Sequence, residues 1–298
     1  MQQEYSRTIE LGQRKIHHLE AGQGPPLVLL HGTAIDSAWL SYGKHLMHFA
    51  QHFHVFAPDF PGYGQSVDPD RRYQTRDYVA FLPEFFEAVG LQKASVVAFS
   101  MGGAIALQVA LKHPELFEKL VLVDSFGLFG RIHVPLLPRL GIRSEKFALW
   151  LWDLSRKHPF FLGLVLKLLV IHNPRLVTSE LLTELQGEMH NPETFLRWMQ
   201  SELGWTEYTT NLFAELPGLK VSTLLIHAEQ DRVTPASRTH YAVKKIPGAR
   251  HMIIPQSGHW VMREQPEVWR KCVLDFLLEG VMPANEPSSF PSSNPSST

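Results

Sequence analysis

The sequence holds a single cysteine, Cys272, among 298 residues. One thiol excludes an intrachain disulfide and fits a reducing, cytoplasmic compartment; its place in an amphipathic C-terminal stretch suits a buried structural thiol. A basic block is also lacking. The 28 Lys and Arg balance 29 Asp and Glu, for a formal net charge of −1, so nucleic acid is not suggested as a partner. Long apolar runs are missing too. The richest stretch, 147–170, is cut by Asp153, Arg156, Lys157 and Lys167, well short of the roughly 20 residues that cross a bilayer, and no membrane span is expected. Met1 to Glu10 is polar, mixed in charge and without an apolar core, which argues against a signal peptide. Zinc-type Cys/His spacings are absent. His45, His48 and His52 therefore read as a solvated helix face, and neither metal nor cofactor is expected. The tail, 283–298, is mostly Pro, Ser and Asn and reads as disordered.

What is present is an alternation of short apolar runs and helical patterns. Tyr5 to Leu11 and Lys15 to Glu20 form an opening hairpin about Gly12-Gln13. Further strands are expected at Pro26 to Leu30, His54 to Ala57, Ala94 to Phe99, Leu120 to Val123, Thr223 to His227 and His251 to Ile254. Helices are expected over 37–51, 76–89 (disturbed near Pro83), 103–112, 235–246 and 266–279. From 129 to 216 there is no good strand, only helical segments punctuated by prolines. Such a chain implies an α/β fold with a mostly parallel, eight-stranded sheet covered on both faces. The helical block then caps the carboxyl ends of the strands, where ligands bind. The division expected is a first core part, 1–128, a cap, 129–215, and a second core part, 216–282.

The chain is organised around Ala94 to Leu107. A buried strand and a helix meet there with only Ser100 and Met101 between them, so the turn is very tight. Ala98 and Gly102, two residues to either side of Ser100, keep that turn uncrowded. The Ser100 hydroxyl would project beside the positive end of the helix. Helix capping alone would account for a serine here, but the pentapeptide Ala98-Phe99-Ser100-Met101-Gly102 resembles the G-x-S-x-G nucleophile elbow of the α/β-hydrolase family, with Ala98 for the first glycine. Asp59-Phe60-Pro61-Gly62-Tyr63-Gly64-Gln65-Ser66 resembles that family's D-x-P-G-x-G-x-S loop, in which Asp59 is a turn residue. The resemblance covers about residues 5–280.

A serine hydroxyl needs a general base, and the family's chain order is Ser, acid, His. Asp231 follows the strand ending at His227, and His259 follows the strand ending at Ile254. The resemblance therefore implies a triad of Ser100, His259 and Asp231, with Asp124, also at a strand end, as the rival acid. Oxyanion donors are expected from the amide of Met101 and from His31-Gly32-Thr33-Ala34, which is similar to the family's H-G-x motif; Thr33 is preferred and Ala34 is the fallback. A substrate pocket is expected from Phe99, Trp260 and the cap residues Trp150, Trp152, Phe160 and Phe161.

A serine at the elbow argues against aspartate-dependent relatives such as haloalkane dehalogenases and epoxide hydrolases. The leading expectation is a serine esterase for a small or medium apolar ester, with a small-molecule substrate as its partner. The first alternative is a carbon–carbon bond hydrolase of the meta-cleavage product type, to which Ser100-Met101-Gly102-Gly103 and Gly258-His259-Trp260 are similar. Against it stand Phe99, where asparagine is common, and the lack of a glycine-rich oxyanion loop at Thr33-Ala34-Ile35-Asp36. The second alternative is a ligand receptor that keeps the triad and turns over slowly.

Overall fold

Small and apolar residues, with no charge among them, let the strand Ala94–Phe99 bury every side chain, and this strand sits mid-sheet in a computed structural model. The structure describes residues 2–68, 73–132 and 136–279, with the side chains of 136–138 excepted. The expected tail, 283–298, lies outside the described residues. A short helix α1, Gln2–Tyr5, leads into β1, Ser6–Leu11, and β2, Arg14–Ala21. Then come β3, Pro26–Leu30, α2, Ala38–Tyr42, α3, Leu46–Ala50, β4, His54–Pro58, α4, Thr75–Ala88, β5, Ala94–Phe99, α5, Met101–Lys112, and β6, Phe117–Val123. The insert carries α6, Leu136–Arg143, α7, Glu145–Lys157, α8, Pro159–Val165, α9, Ser179–Glu188, and α10, Pro192–Glu202. The chain returns through β7, Thr223–Ala228, α11, Ala236–Val243, β8, Arg250–Ile254, α12, Val261–Glu264, and α13, Pro266–Leu278.

The sheet has eight strands in the order β1-β2-β4-β3-β5-β6-β7-β8, and only β2 runs against its neighbours. It is an α/β-hydrolase fold. Alternation along β5 splits the core into two layers: Val96 and Ala98 face α4 and α5, while Val97 and Phe99 face α2, α3 and α13. Because β3 and β5 to β8 are parallel, residues 31, 100, 124, 229 and 255 all emerge at one edge.

Two local expectations change. The helix expected over 37–51 is two short helices, Ala38–Tyr42 and Leu46–Ala50, with a turn between them in which His45 N donates to Tyr42 O. α4 continues through Pro83 without a break, and burial of Phe81, Leu82, Phe85 and Phe86 offsets the lost hydrogen bond.

The insert is tied to the core by buried polar groups. Glu202 accepts from Thr210 N at 2.9 Å and from the Thr75 hydroxyl, and Trp198 Nε1 donates to the same Thr75 oxygen at 2.9 Å. Arg263 donates both guanidinium arms to Glu184 at 2.9 Å, and others to the Leu40 carbonyl. Among the described residues no helix is long and apolar enough to cross a membrane.

Candidate active site

Ser100 joins β5 directly to α5 with φ 51° and ψ −114°, a left-handed conformation that costs a non-glycine residue about 1–3 kcal/mol. Its surroundings fix that geometry. Ser100 N donates to Val123 O at 3.0 Å, and Ser100 O accepts from Gly103 N and Phe126 N at 3.0 Å. Gly102 is required here, because a Cβ would come within 2.5 Å of the His31 carbonyl as the loop after β3 crosses the start of α5.

The structure joins the three expected side chains. Ser100 Oγ lies 3.0 Å from His259 Nε2, and His259 Nδ1 lies 2.8 Å from Asp231 Oδ2. Ser100, Asp231 and His259 are all buried. Asp231 is held by donors on both oxygens: Val233 N and Thr234 N reach Oδ1 at 2.7 and 2.9 Å, and the Thr234 hydroxyl reaches Oδ2 at 2.6 Å. Burial pushes the Asp231 carboxyl up. The His259 charge and hydrogen bonds from His227 and His259 outweigh burial and hold it well below the usual carboxylate range. An ionised acid facing Nδ1 places the Nδ1 proton toward Asp231 and leaves Nε2 free to accept from Ser100.

The rival acid sits in the opposite state. Asp124, fully buried with φ 42°, accepts from Ala228 N at 2.7 Å through Oδ1, while its Oδ2 has no partner among the described residues. Burial, reinforced by the Asp231 charge, pushes its carboxyl well above the usual range. Asp124 therefore holds its proton more readily than an ordinary carboxyl, the opposite of Asp231. Asp124, His227 and Asp231 converge closely enough to be considered as metal ligands. His227, however, is committed on both nitrogens: Nε2 to the Thr234 carbonyl, with Asp231 Oδ2 also at 3.4 Å, and Nδ1 to the Thr239 hydroxyl at 2.7 Å. The helical histidines do not form a set: His45 is buried against Trp269 and accepts from Arg270 at 3.1 Å, whereas His48 and His52 are exposed.

Thr33 and Met101 lie side by side through Tyr63, whose hydroxyl is 2.7 Å from Thr33 Oγ1 and 4.0 Å from Met101 Sδ. Ala34 has φ 68°. The loop is shaped by Asp36, which accepts from Gly32 N at 2.6 Å, from Ser37 N at 2.9 Å and from the Ser41 hydroxyl. Sequence reasoning gave Asp36 no role, because its partners lie one, four and five residues away around a bend. Glu264 was missed for a similar reason: it accepts from Gly258 N at 2.6 Å beside His259, and from His172 N and Asn173 N in the middle of the insert, ahead of α9. Gly258 is needed there, since the Val170 carbonyl occupies the place of a Cβ.

The expected pocket residues separate into two groups. Phe99 packs on the His259 ring at 5.0 Å and against Gly32, and Trp260 is buried beneath the Arg263 guanidinium at 5.0 Å. Trp152 lines a cleft with Ala34, Asp36, Tyr63 and Glu188. Burial, then the Asp59 and Asp36 charges, raises the Glu188 carboxyl. The assignment of Trp150, Phe160 and Phe161 to the pocket is corrected: Trp150 is 57% exposed, Phe160 74%, and Phe161 is exposed as well. The inner face of α7 and α8 is already supplied by Ser155, Leu162, Gly163 and Leu166, so these three aromatics fall on the outer face.

A tight strand–Ser–helix turn, an imidazole and an ionised carboxylate on one sheet edge define a hydrolase of the α/β-hydrolase fold. The model of that fold family matches residues 25–266, and the chain belongs to the family. The chain is 28% identical over 276 residues to a 2-hydroxy-6-oxo-6-(2'-aminophenyl)hexa-2,4-dienoic acid hydrolase of Metapseudomonas resinovorans, covering 91% of this chain and 90% of that protein. It is 30% identical over 280 residues to a 2-hydroxy-6-oxo-6-phenylhexa-2,4-dienoate hydrolase of Burkholderia cepacia, covering 91% and 93%. Its structure is similar to that of a serine hydrolase involved in carbazole degradation, with a TM-score of 0.74, 26% identity and coverage of 91% and 98%.

Proposed function

We propose that the protein hydrolyses a small carbonyl substrate through an acyl-Ser100 intermediate, and that this substrate is a 2-hydroxy-6-oxo-dienoate whose carbon–carbon bond is cleaved. The observation that carries the reaction type is the unbroken chain from Ser100 Oγ through His259 to Asp231 at a strained elbow. His259 Nε2 takes the serine proton as Oγ adds to the carbonyl carbon. The Met101 and Thr33 amides are proposed as donors to the resulting oxyanion. Asp231 stabilises the imidazolium. In the ketonised substrate the bond between C5 and C6 breaks, its electron pair leaves as a dienolate, and the His259 proton is transferred to it. Water, activated by the same imidazole, then releases the carboxylic acid from Ser100.

The named activities of the similar proteins support this substrate class, at about 30% identity or below. A specific observation favours a second reading, ester hydrolysis. Phe99 presents an apolar ring beside Ser100, and the cleft at Ala34 and Tyr63 carries Asp36 and Glu188 with no Lys or Arg among its described lining. A substrate carboxylate there would meet two acidic side chains, with His190 as the basic group in the lining. Comparing kcat/KM for 2-hydroxy-6-oxo-6-phenylhexa-2,4-dienoate with a p-nitrophenyl ester series decides between them. The proposal expects the dienoate to be turned over faster. Efficient turnover of the esters with an inert dienoate would replace it with the esterase reading, and release of one equivalent followed by a stall would indicate a receptor.

A further inference from the structure

The outer face of the insert is apolar where a surface helix is normally polar. Along α8 and its π-helical continuation, Leu166–Val170, the residues Phe160, Leu164 and Leu168 form one row at four-residue spacing. Phe161, Val165 and Leu169 form the adjacent row. All six are exposed, while Leu162, Gly163 and Leu166 fill the inner face. Apart from Lys167 this segment is thus apolar all round, a pattern that suits burial on both sides rather than contact with water. On the neighbouring α7, Phe147, Trp150 and Leu151 are exposed at the spacing of a single stripe, with the Phe147 and Trp150 rings 5.7 Å apart. One unpartnered surface of nine apolar side chains results, rich in the aromatics that favour a water–lipid boundary.

Charge identifies what covers it. Between residues 139 and 175 there are seven Lys or Arg and two acidic residues, in a chain whose formal net charge is −1. Lys146, Lys167 and Arg175 are exposed and form no ion pair among the described residues. A second copy docking through this face by two-fold symmetry would oppose one basic surface to another. An anionic lipid surface would complement it. We propose that the outer face of α7 and α8 seats the protein on the surface of a bilayer containing anionic phospholipid, with the rows of α8 in the acyl boundary and the basic side chains at the headgroups. No helix crosses the membrane in this arrangement; it is monotopic docking.

The test is co-sedimentation of the full chain with vesicles of phosphatidylcholine alone or mixed with phosphatidylglycerol. The expected result is binding to the mixed vesicles, weakened by salt because the charge contribution is screened. Leu164→Ser with Leu168→Ser removes apolar contact and should lower partitioning by about tenfold or more. Lys146→Gln with Lys167→Gln should lower it on mixed vesicles alone. Because all four side chains are exposed, the melting curve and the hydrolysis of a water-soluble ester should be unchanged in both variants. Absence of binding to phosphatidylglycerol vesicles would overturn the proposal, as would binding that neither pair of substitutions reduces. A wild-type dimer in sedimentation that Leu164→Ser with Leu168→Ser dissociates, without lipid binding, would assign the face to a second copy instead.

Discussion

Replacing each of the two strand-end carboxylates in turn separates an acid that faces the histidine from one that lies behind it. In Asp231→Asn, either placement of the amide nitrogen loses a bond. One carboxylate oxygen takes the Val233 and Thr234 amides, and the other takes the Thr234 hydroxyl and His259 Nδ1. An amide also cannot stabilise the imidazolium or hold its tautomer. The expected loss in kcat is about 10⁴-fold, or about 5.5 kcal/mol of transition-state stabilisation. Asp124→Asn removes a carboxyl whose ionisation burial already opposes, keeps the acceptor for Ala228 N, and puts the new amide where Oδ2 has no partner. Its loss should stay below about tenfold, or about 1.4 kcal/mol. Thr234→Val falls between them: a hydroxyl bond of 2.6 Å to a charged oxygen disappears, worth about 1.5–3 kcal/mol. Initial rates with a chromogenic substrate, alongside melting curves, give all three values. If Asp124→Asn does the larger damage while its fold is intact, the acid is Asp124 and the charge states assigned to the pair are wrong.

Asp124 also sets a pH dependence of stability. Its carboxyl is raised in the folded state, so above the ordinary carboxylate pKa the unfolded chain releases a proton that the native chain retains. Stability therefore falls as pH rises from about 4 toward the raised value, and Asp124→Asn should flatten that slope in chemical denaturation at pH 5 and pH 8; an unchanged slope would contradict the assignment. Gly258→Ala should displace the Val170 carbonyl and loosen the loop carrying His259, lowering kcat by at least about tenfold; parental kcat would show that this contact does not position the imidazole.

Much of this was legible because the informative signals are local. A strand, a serine and a helix within a few residues define an elbow whatever surrounds them, and the same holds for strand ends at Asp231 and His259. The choice between Asp124 and Asp231 was not legible, because it depends on Thr234, His227 and depth of burial. The roles of Asp36 and Glu264 were hidden likewise, since their partners are backbone amides brought in by bends and by the insert. The cap aromatics were misplaced for a different reason. Periodicity shows that Phe160 and Leu164 share a helix face with Leu168, but α8 is apolar on every side. No amphipathic contrast remains to say which face meets the core.

The claim on which the rest depends is that Ser100 forms the covalent bond. Ser100→Ala removes one oxygen from a buried position whose backbone is held by Val123, Gly103 and Phe126, so the fold should survive. Measured against the wild type with the dienoate and the best ester, the variant should show no turnover and an unchanged melting curve. Near-parental turnover by Ser100→Ala, with the same melting curve, would contradict the account.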